Sequence, residues 1–329
     1  MKVLVTGGAG YIGSHLVWEF LGKKCDISII DNLEFGSQSL IPKNIDILVA
    51  DISDEKKILK LLQKKKFDIV IHLAAYTKVA ESVRDPKKYY ENNFEKSKKF
   101  FNFCIRNGIN KFIFSSTCAV YGNSNDINLF ENGKKNPLNA YSDSKWKVEQ
   151  YLEKVSLENN LSIVTLRYFN VTGADDQMRC GLISNPENLI KALCEFILGK
   201  RKKFIVNGLD YNTKDGSAVR DFIHVSDLVD LHYLAAEKLL KQNKNFYKVY
   251  NCGYGKGFSV LEIVNAFEKI IKKKINYKIG KRRDGDAEIA VANVDKLSKE
   301  FNWSPKRNNL DIILESSLNW EKKILNLQI

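Results

Sequence analysis

Tyr141 and Lys145 stand four residues apart at the start of Tyr141–Glu158, a stretch whose pattern predicts a helix. Positions i and i+4 share one helical face. An ammonium one turn from a phenol favours phenolate and draws the phenol pKa down from ~10 towards working pH. The pair has the makings of a general base, although the same spacing also occurs as an exposed pair on amphipathic helices. Upstream, Ser115-Ser116-Thr117 closes the apolar run KFIFS. A hydroxyl at a strand end can hydrogen-bond a substrate oxygen while the tyrosine takes its proton; it can equally cap a polar loop. Hydroxyls, tyrosine and lysine in that order, behind a run of apolar strands, move the balance to catalysis.

The elements that would position this set begin at Lys2–Gly13, KVLVTGGAGYIG. Val3–Thr6 reads as a short buried strand and Ser14–Leu21 as a helix with an apolar stripe. Between them Gly8, Gly10 and Gly13 fit G-x-G-x-x-G, and Gly7, Gly10 and Gly13 fit a looser frame. Either frame lets a pyrophosphate approach bare backbone at a helix N-terminus, where N–H groups and partial positive charge await it. Any tight strand-to-helix turn favours glycine, so the triplet needs support. Asp31 supplies it by ending the next apolar run, Ile27–Ile30, 18 residues after Gly13. That is close to the ~20 at which an acid meets the adenosine ribose hydroxyls. A carboxylate there repels a 2′-phosphate, so the expected cofactor is NAD rather than NADP.

Composition bounds the rest. With 329 residues, 44% hydrophobic and 28% charged, the chain can bury a full α/β core and add a smaller lobe. No apolar run approaches the ~20 residues of a membrane span, and Met1 leads straight into a core strand, so no membrane partner and a cytoplasmic location are expected. Six scattered cysteines form no C-x-x-C pair, and His15, His72, His224 and His232 have no metal-ligand spacing. Disulfides and metal are not expected. The net charge of +13 invites a nucleic-acid reading. The lysines, however, are spread over helix faces and loops without interleaved aromatics, which favours a solvated basic surface and no nucleic acid.

Strand-like and helix-like segments alternate through the first half: Ile45–Val49, Glu55–Lys64, Asp68–Leu73, Tyr89–Arg106, Lys111–Ser115, Tyr141–Glu158 and Ser162–Arg167. Repeated βαβ units imply an α/β fold, a doubly wound parallel Rossmann sheet. After Tyr168 glycines, asparagines and prolines break the pattern. The expected division is a dinucleotide-binding domain over 1–169, to which about 221–250 returns, and a smaller α/β substrate lobe over 170–329. Ligands of such sheets bind at the carboxyl ends of the strands, and a cleft between that edge and the lobe is the expected active site.

The set TGGAGYIG, Asp31-Asn32, Asp51-Ile52, HLAA, SSTCAVYG, YSDSK and RYFN resembles the extended short-chain dehydrogenase/reductases. Within them, ESVRDPKKYYENN (81–93), DGSAVRDFIHVSDL (215–228) and KRRDGD (281–286) are most similar to the UDP-glucose 4-epimerases. The resemblance implies NAD contacts from Gly7, Gly10, Tyr11, Ile12, Gly13, Asp31, Asn32, Asp51, Ile52, Leu73, Ala74, Ala75, Tyr76, Asn92, Tyr141, Lys145 and Phe169. It places the catalytic hydroxyl on Thr117 and the uridine diphosphate on Asn170, Asn188, Leu189, Arg220, Arg283 and Asp286. Two arginines suit a diphosphate and a carboxylate suits ribose hydroxyls. The implied reaction is an internal redox cycle through a 4-keto sugar with tightly held NAD, in a homodimer whose interface is a four-helix bundle built from Tyr89–Arg106 and Tyr141–Glu158.

The departures from that pattern are informative. Cys118-Ala119 fill the places where the related sugar dehydratases carry an acidic pair, and neither can shuttle a proton for elimination. Ala290 falls where a large tyrosine excludes N-acetylated sugars, so N-acetyl sugars are expected to fit. Thr77-Lys78 lies one position off the usual lysine, and Asn207 replaces a common aromatic. A uronate or pentose 4-epimerase, a dehydratase and a non-catalytic NAD-binding regulator remain the competing readings.

Overall fold

The computed structural model describes residues 1–124, 128–184, 187–242, 245–283 and 286–327; residues 284 and 285 of the KRRDGD stretch lie outside them. The chain divides into two compact units, Met1–Val120 with Asn139–Arg167 and Val229–Tyr250, and Tyr121–Leu138 with Tyr168–Leu228 and Asn251–Ile329.

The first unit is organised by a sheet in the order β10-β6-β5-β4-β1-β2-β3. Its strands are β1 (Lys2–Thr6), β2 (Asp26–Asp31), β3 (Asp46–Val49), β4 (Ile69–His72), β5 (Lys111–Thr117), β6 (Ser162–Tyr168) and β10 (Phe246–Cys252). The apolar runs are continuous rather than alternating because both faces are covered. Val3, Val5, Ile71 and Ile113 are fully buried and stand in parallel register, Val5 opposite Ile71 and Ile71 opposite Ile113. Strand order reverses between β1 and β4, the place where ligands of open α/β sheets bind.

Helices α1 (Tyr11–Gly22), α2 (Glu55–Lys64), α3 (Val79–Arg84), α4 (Pro86–Tyr89), α5 (Ser97–Arg106) and α6 (Ala140–Glu158) belong to this unit. Phe100, Phe101, Phe103, Phe112 and Phe114 form much of its core, with Phe101 edge-on to Phe112 at 5.4 Å. The regular helix expected over Tyr89–Arg106 is instead α4, a π-helical stretch Tyr90–Lys96, and α5. The wider turn carries Asn93, whose amide accepts from the Tyr76 N–H at 2.8 Å and donates to the Tyr76 carbonyl at 3.0 Å. Periodicity cannot register such an insertion, and π turns of this kind collect at functional sites.

The second unit holds β7 (Asn170–Thr172), β8 (Ile205–Asn207), β9 (Val219–His224), β11 (Gly257–Ser259), β12 (Lys278–Gly280) and β13 (Ile289–Ala290). Strand β9 pairs with β7, β11 and β13, and β8 pairs with β12. Helices α7 (Leu189–Ile197), α9 (Val260–Ile271) and α11 (Leu310–Leu327) supply Leu193, Phe267 and Leu314 to a core around Phe204 and Phe222. Helix α10 (Asp295–Phe301) completes the unit, and α8 (Val225–Leu240) carries the chain from β9 into the first unit. No helix among the described residues is long and apolar enough to cross a membrane.

Candidate active site

In the first unit the glycine turn is built as its spacing requires. Gly7 adopts φ +72°, and a Cβ there would come within 2.8 Å of the Ala74 nitrogen. A Cβ on Gly13 would overlap the Gly7 carbonyl oxygen, so strand and helix touch only because both residues are bare. The turn closes with Gly10 N–H on Gly7 O at 3.1 Å and Ser14 N–H on Gly10 O at 2.9 Å. Tyr11 and Ile12 follow it, half-buried, with Tyr11 edge-on to His15 at 5.2 Å.

Asp31 is buried at the end of β2 and accepts the Ala9 and Leu33 N–H groups at 2.9 and 2.8 Å. Burial raises its carboxyl pKa despite those bonds. Each oxygen takes one of the two, so each keeps lone-pair capacity for a ligand hydroxyl. Asn32 beside it is exposed. Asp51 accepts from Ser53 N–H at 2.8 Å and from the Lys96 ammonium at 2.8 Å; burial pushes its carboxyl up, but Lys96 and Ser53 outweigh it and hold the group low. The next residue, Ile52, is buried. Lys96 lies on the π-helical stretch and nothing in the sequence marked it. Leu73, Ala74, Ala75 and Tyr76 follow β4 half-buried, and Asn92 donates to Asn93 Oδ1 at 3.2 Å.

The catalytic candidates come together on β5 and α6. Asn139 caps α6 reciprocally with Ser142, accepting its N–H at 3.0 Å, which fixes Tyr141 in the first turn. The Tyr141 phenol shares a hydrogen bond with the buried Thr117 hydroxyl, and Thr117 Oγ1 also accepts the Ala119 N–H at 3.1 Å. Lys145 does not lean on the phenol. Its ammonium donates to the Ser115 carbonyl at 2.8 Å and contacts Ser115 Oγ at 3.4 Å, with the Phe114 ring 4.8 Å away. This corrects the expectation of a phenol lowered by its lysine neighbour. Burial pushes Tyr141 up to about 12 against the helping Thr117 bond, and burial pushes Lys145 down to about 7 with Glu149 opposing. Desolvation of the charged form is the largest cause of both shifts.

One turn beyond Lys145, Glu149 is buried and forms a bidentate ion pair with Arg167, Nη2 to Oε2 at 2.6 Å, while the Ser116 hydroxyl donates to its other oxygen. The pair ties α6, β5 and β6 around Thr117. Its partners are 33 and 18 residues away in sequence, so no local pattern could reveal it.

The second unit gathers the residues expected to hold a diphosphate. Asn188 caps α7 by accepting the Lys191 N–H at 3.1 Å, so Leu189 opens the helix. Asn170 begins β7 opposite Phe222, and Phe169 just before it is buried, its N–H on the Cys252 carbonyl at 3.0 Å. Arg220 donates to Asp286 Oδ1 at 2.5 Å and to the Ala287 carbonyl at 2.6 Å, so the expected cation and carboxylate pair with each other. Arg283 is exposed and reaches the Glu187 carbonyl at 3.5 Å. With the Asn207 amide turned so that its oxygen faces the guanidinium, it accepts from Arg283 Nε at 2.9 Å. Ala290 is buried in register opposite Arg220. No group of three or more His, Cys, Asp or Glu side chains arranged for a metal occurs among the described residues.

The family model of the NAD dependent epimerase/dehydratase family matches residues 3–253. A UDP-glucose 4-epimerase of Azospirillum brasilense is 38% identical over 324 residues, covering 98% of this chain and 92% of its own. Among solved structures, a UDP-glucose 4-epimerase from Stenotrophomonas maltophila with bound NAD and formylated UDP-arabinopyranose superposes with a TM-score of 0.94 at 32% identity, over 99% of each chain. A UDP-Glc/GlcNAc 4-epimerase from Campylobacter jejuni does so at 0.84 and 37% identity, over 98% of this chain and 99% of its own. With a glycine turn, a buried acid at the end of β2 and a Thr–Tyr–Lys set on β5 and α6, and with relatives matched over nearly its whole length, the chain belongs to the NAD-dependent epimerase/dehydratase family.

Proposed function

We propose that this protein is a UDP-glucose 4-epimerase that interconverts UDP-galactose and UDP-glucose through a 4-keto sugar with resident NAD. The observation that carries the reading is the meeting of Thr117, Tyr141 and Lys145 on β5 and α6 in the unit that also holds the glycine turn and Asp31. We assign NAD to that first unit and the uridine diphosphate to Asn170, Asn188, Leu189, Arg220, Arg283 and Asp286 of the second. The residues of the first unit fit the cofactor. Bare backbone at Gly7, Gly10 and Gly13 suits the pyrophosphate, and the Asp31 oxygens have capacity for the ribose hydroxyls.

When bound, NAD supplies a hydride acceptor for the sugar C4 and, in its oxidised form, a positive charge near the phenol. Tyr141 takes the proton of the sugar O4 and returns it after the keto sugar has presented its other face. Thr117 shares a hydrogen bond with the phenol and holds the sugar oxygen. Lys145, anchored on Ser115, adds its charge at the base of the same helical turn. Burial raises the Tyr141 phenol, and positive charge beside it would favour the base form.

A wider sugar range follows from one feature. Ala290 is a small side chain in register with Arg220, where a large one would take up more space, and we extend the reading to UDP-N-acetylhexosamines on that ground. Six free thiols suit the cytoplasm, and assembly as a homodimer through the α5 and α6 region completes the proposal. The decisive assay is purified protein with UDP-galactose and no added NAD. UDP-glucose appears if the reading is right; its absence with the protein folded and NAD-loaded overturns it.

A further inference from the structure

Two loops of the first unit flank the glycine turn. Strand β1 lies between β2 and β4, and all three are parallel, so the chain leaving β2 and the chain leaving β4 emerge at one edge on either side of Gly7–Gly10. The loop after β2 is seated on the turn itself. Asp31 accepts the Ala9 N–H at 2.9 Å and Ser37 N–H donates to the Ala9 carbonyl at 2.9 Å. Gly36 runs so close that a Cβ on it would come within 2.8 Å of the Ala9 carbonyl carbon.

Between those anchors, Glu34 and Phe35 reach across to the loop after β4. The Tyr76 hydroxyl donates to Glu34 Oε2 at 2.9 Å, and Phe35 meets the Tyr76 ring edge-on with centroids 5.7 Å apart. Lys78 Nζ stands 5.2 Å over Phe35, and Lys88 Nζ stands 4.5 Å over Tyr76. Phe35 is 39% exposed and Glu34 lies at the surface, so these contacts contribute little to the core. They form a bridge over the carboxyl end of β1, where a pyrophosphate on the turn would lie.

We propose that Glu34, Phe35, Tyr76 and Lys78 form a strap across the dinucleotide groove, with Glu34 and Phe35 as positioning residues that keep NAD resident between turnovers. The strap rests on the reading of this unit as NAD-binding. A cofactor lost midway through an internal redox cycle would strand the keto sugar, so retention serves the chemistry directly. For NAD to leave, the Phe35–Tyr76 and Tyr76–Glu34 contacts must part, and the two ammonium groups must leave their rings. Burial, then the Glu34 bond and charge, push the Tyr76 phenol up to about 12, so its hydroxyl remains a donor to Glu34 through the neutral range.

The test compares wild-type protein, Phe35→Ala, Glu34→Gln and a control at another exposed apolar site, Val83→Ala. NAD content is measured after gel filtration, and exchange against isotopically labelled NAD is followed by mass spectrometry. Loss of an aromatic pair and its cation–π partner is expected to speed exchange roughly tenfold in Phe35→Ala. Glu34→Gln speeds it less, and Val83→Ala exchanges as wild type. Thermal melting of all four checks that the substitutions leave the fold intact. The strap is overturned if wild type holds NAD and both loop variants exchange at its rate. A wild-type protein that carries no NAD and takes up none overturns the NAD reading, and the strap with it.

Discussion

At Tyr141 two influences oppose each other. Burial pushes the phenol up while the Thr117 hydrogen bond pulls it down, and burial wins, lifting it to about 12. Removing the hydroxyl removes the proposed base without disturbing the glycine turn: Tyr141→Phe should cut turnover by roughly 10²- to 10⁴-fold, the usual worth of a positioned base. Absorbance of bound NAD should stay at the wild-type level; near-normal turnover sinks the assignment. His72 offers a stability test of a different kind. It is buried between Thr6 and Ser97, bonded at 2.8 and 2.9 Å, and burial first, then the Lys145 charge, lower its pKa to about 3. The unfolded chain, with an ordinary histidine near ~6.5, binds more protons between those values, so stability falls as pH drops through that window. At pH 5 the loss from this group is about 2 kcal/mol relative to neutral pH. Urea midpoints at pH 7 and pH 5 should accordingly fall more steeply for wild type than for His72→Gln.

At the level of elements, the glycine turn and the start of α6 do most of the positioning. A Cβ at Gly13 would overlap the Gly7 carbonyl, so Gly13→Ala must push α1 off the strand edge. Overpacking of this sort costs ~1–3 kcal/mol. The expected variant melts earlier and elutes from gel filtration stripped of NAD. A variant that keeps its cofactor would show that the close packing of turn and helix is not what the dinucleotide requires. The π-helical stretch places Asn93 on the Tyr76 backbone and Lys96 on Asp51, linking two loops named from sequence through residues that were not.

For the whole molecule, the range of sugars is the property most open to a single change. Ala290 and Arg220 are register partners on adjacent parallel strands, so a tyrosine at 290 would project on the same face as the arginine. Ala290→Tyr is expected to abolish turnover of UDP-N-acetylglucosamine while UDP-galactose is still converted, measured by product chromatography with thermal melting as the control for folding. Equal loss on both sugars would refute a size gate at this position.

What the sequence determined by itself was whatever is local: the βαβ alternation, the bare glycine turn, the acid that ends β2, and the i, i+4 pair at the start of α6. Each follows from short-range sterics or period, and each stands in the structure at or near the stated residues. Helix bounds agree within a residue for α2 and α6, whereas the π insertion after Tyr89 escaped because period counting has no term for it. Only the tertiary structure decided which neighbour each charge meets. Lys145 turned to Ser115, Arg220 to Asp286, and Glu149 to Arg167, each over 18 or more residues of chain. Spacing brings side chains to one face, but burial and long-range partners set their charge. For that reason the sequence could bring Thr117, Tyr141 and Lys145 onto neighbouring elements, but not foresee the burial that raises the phenol.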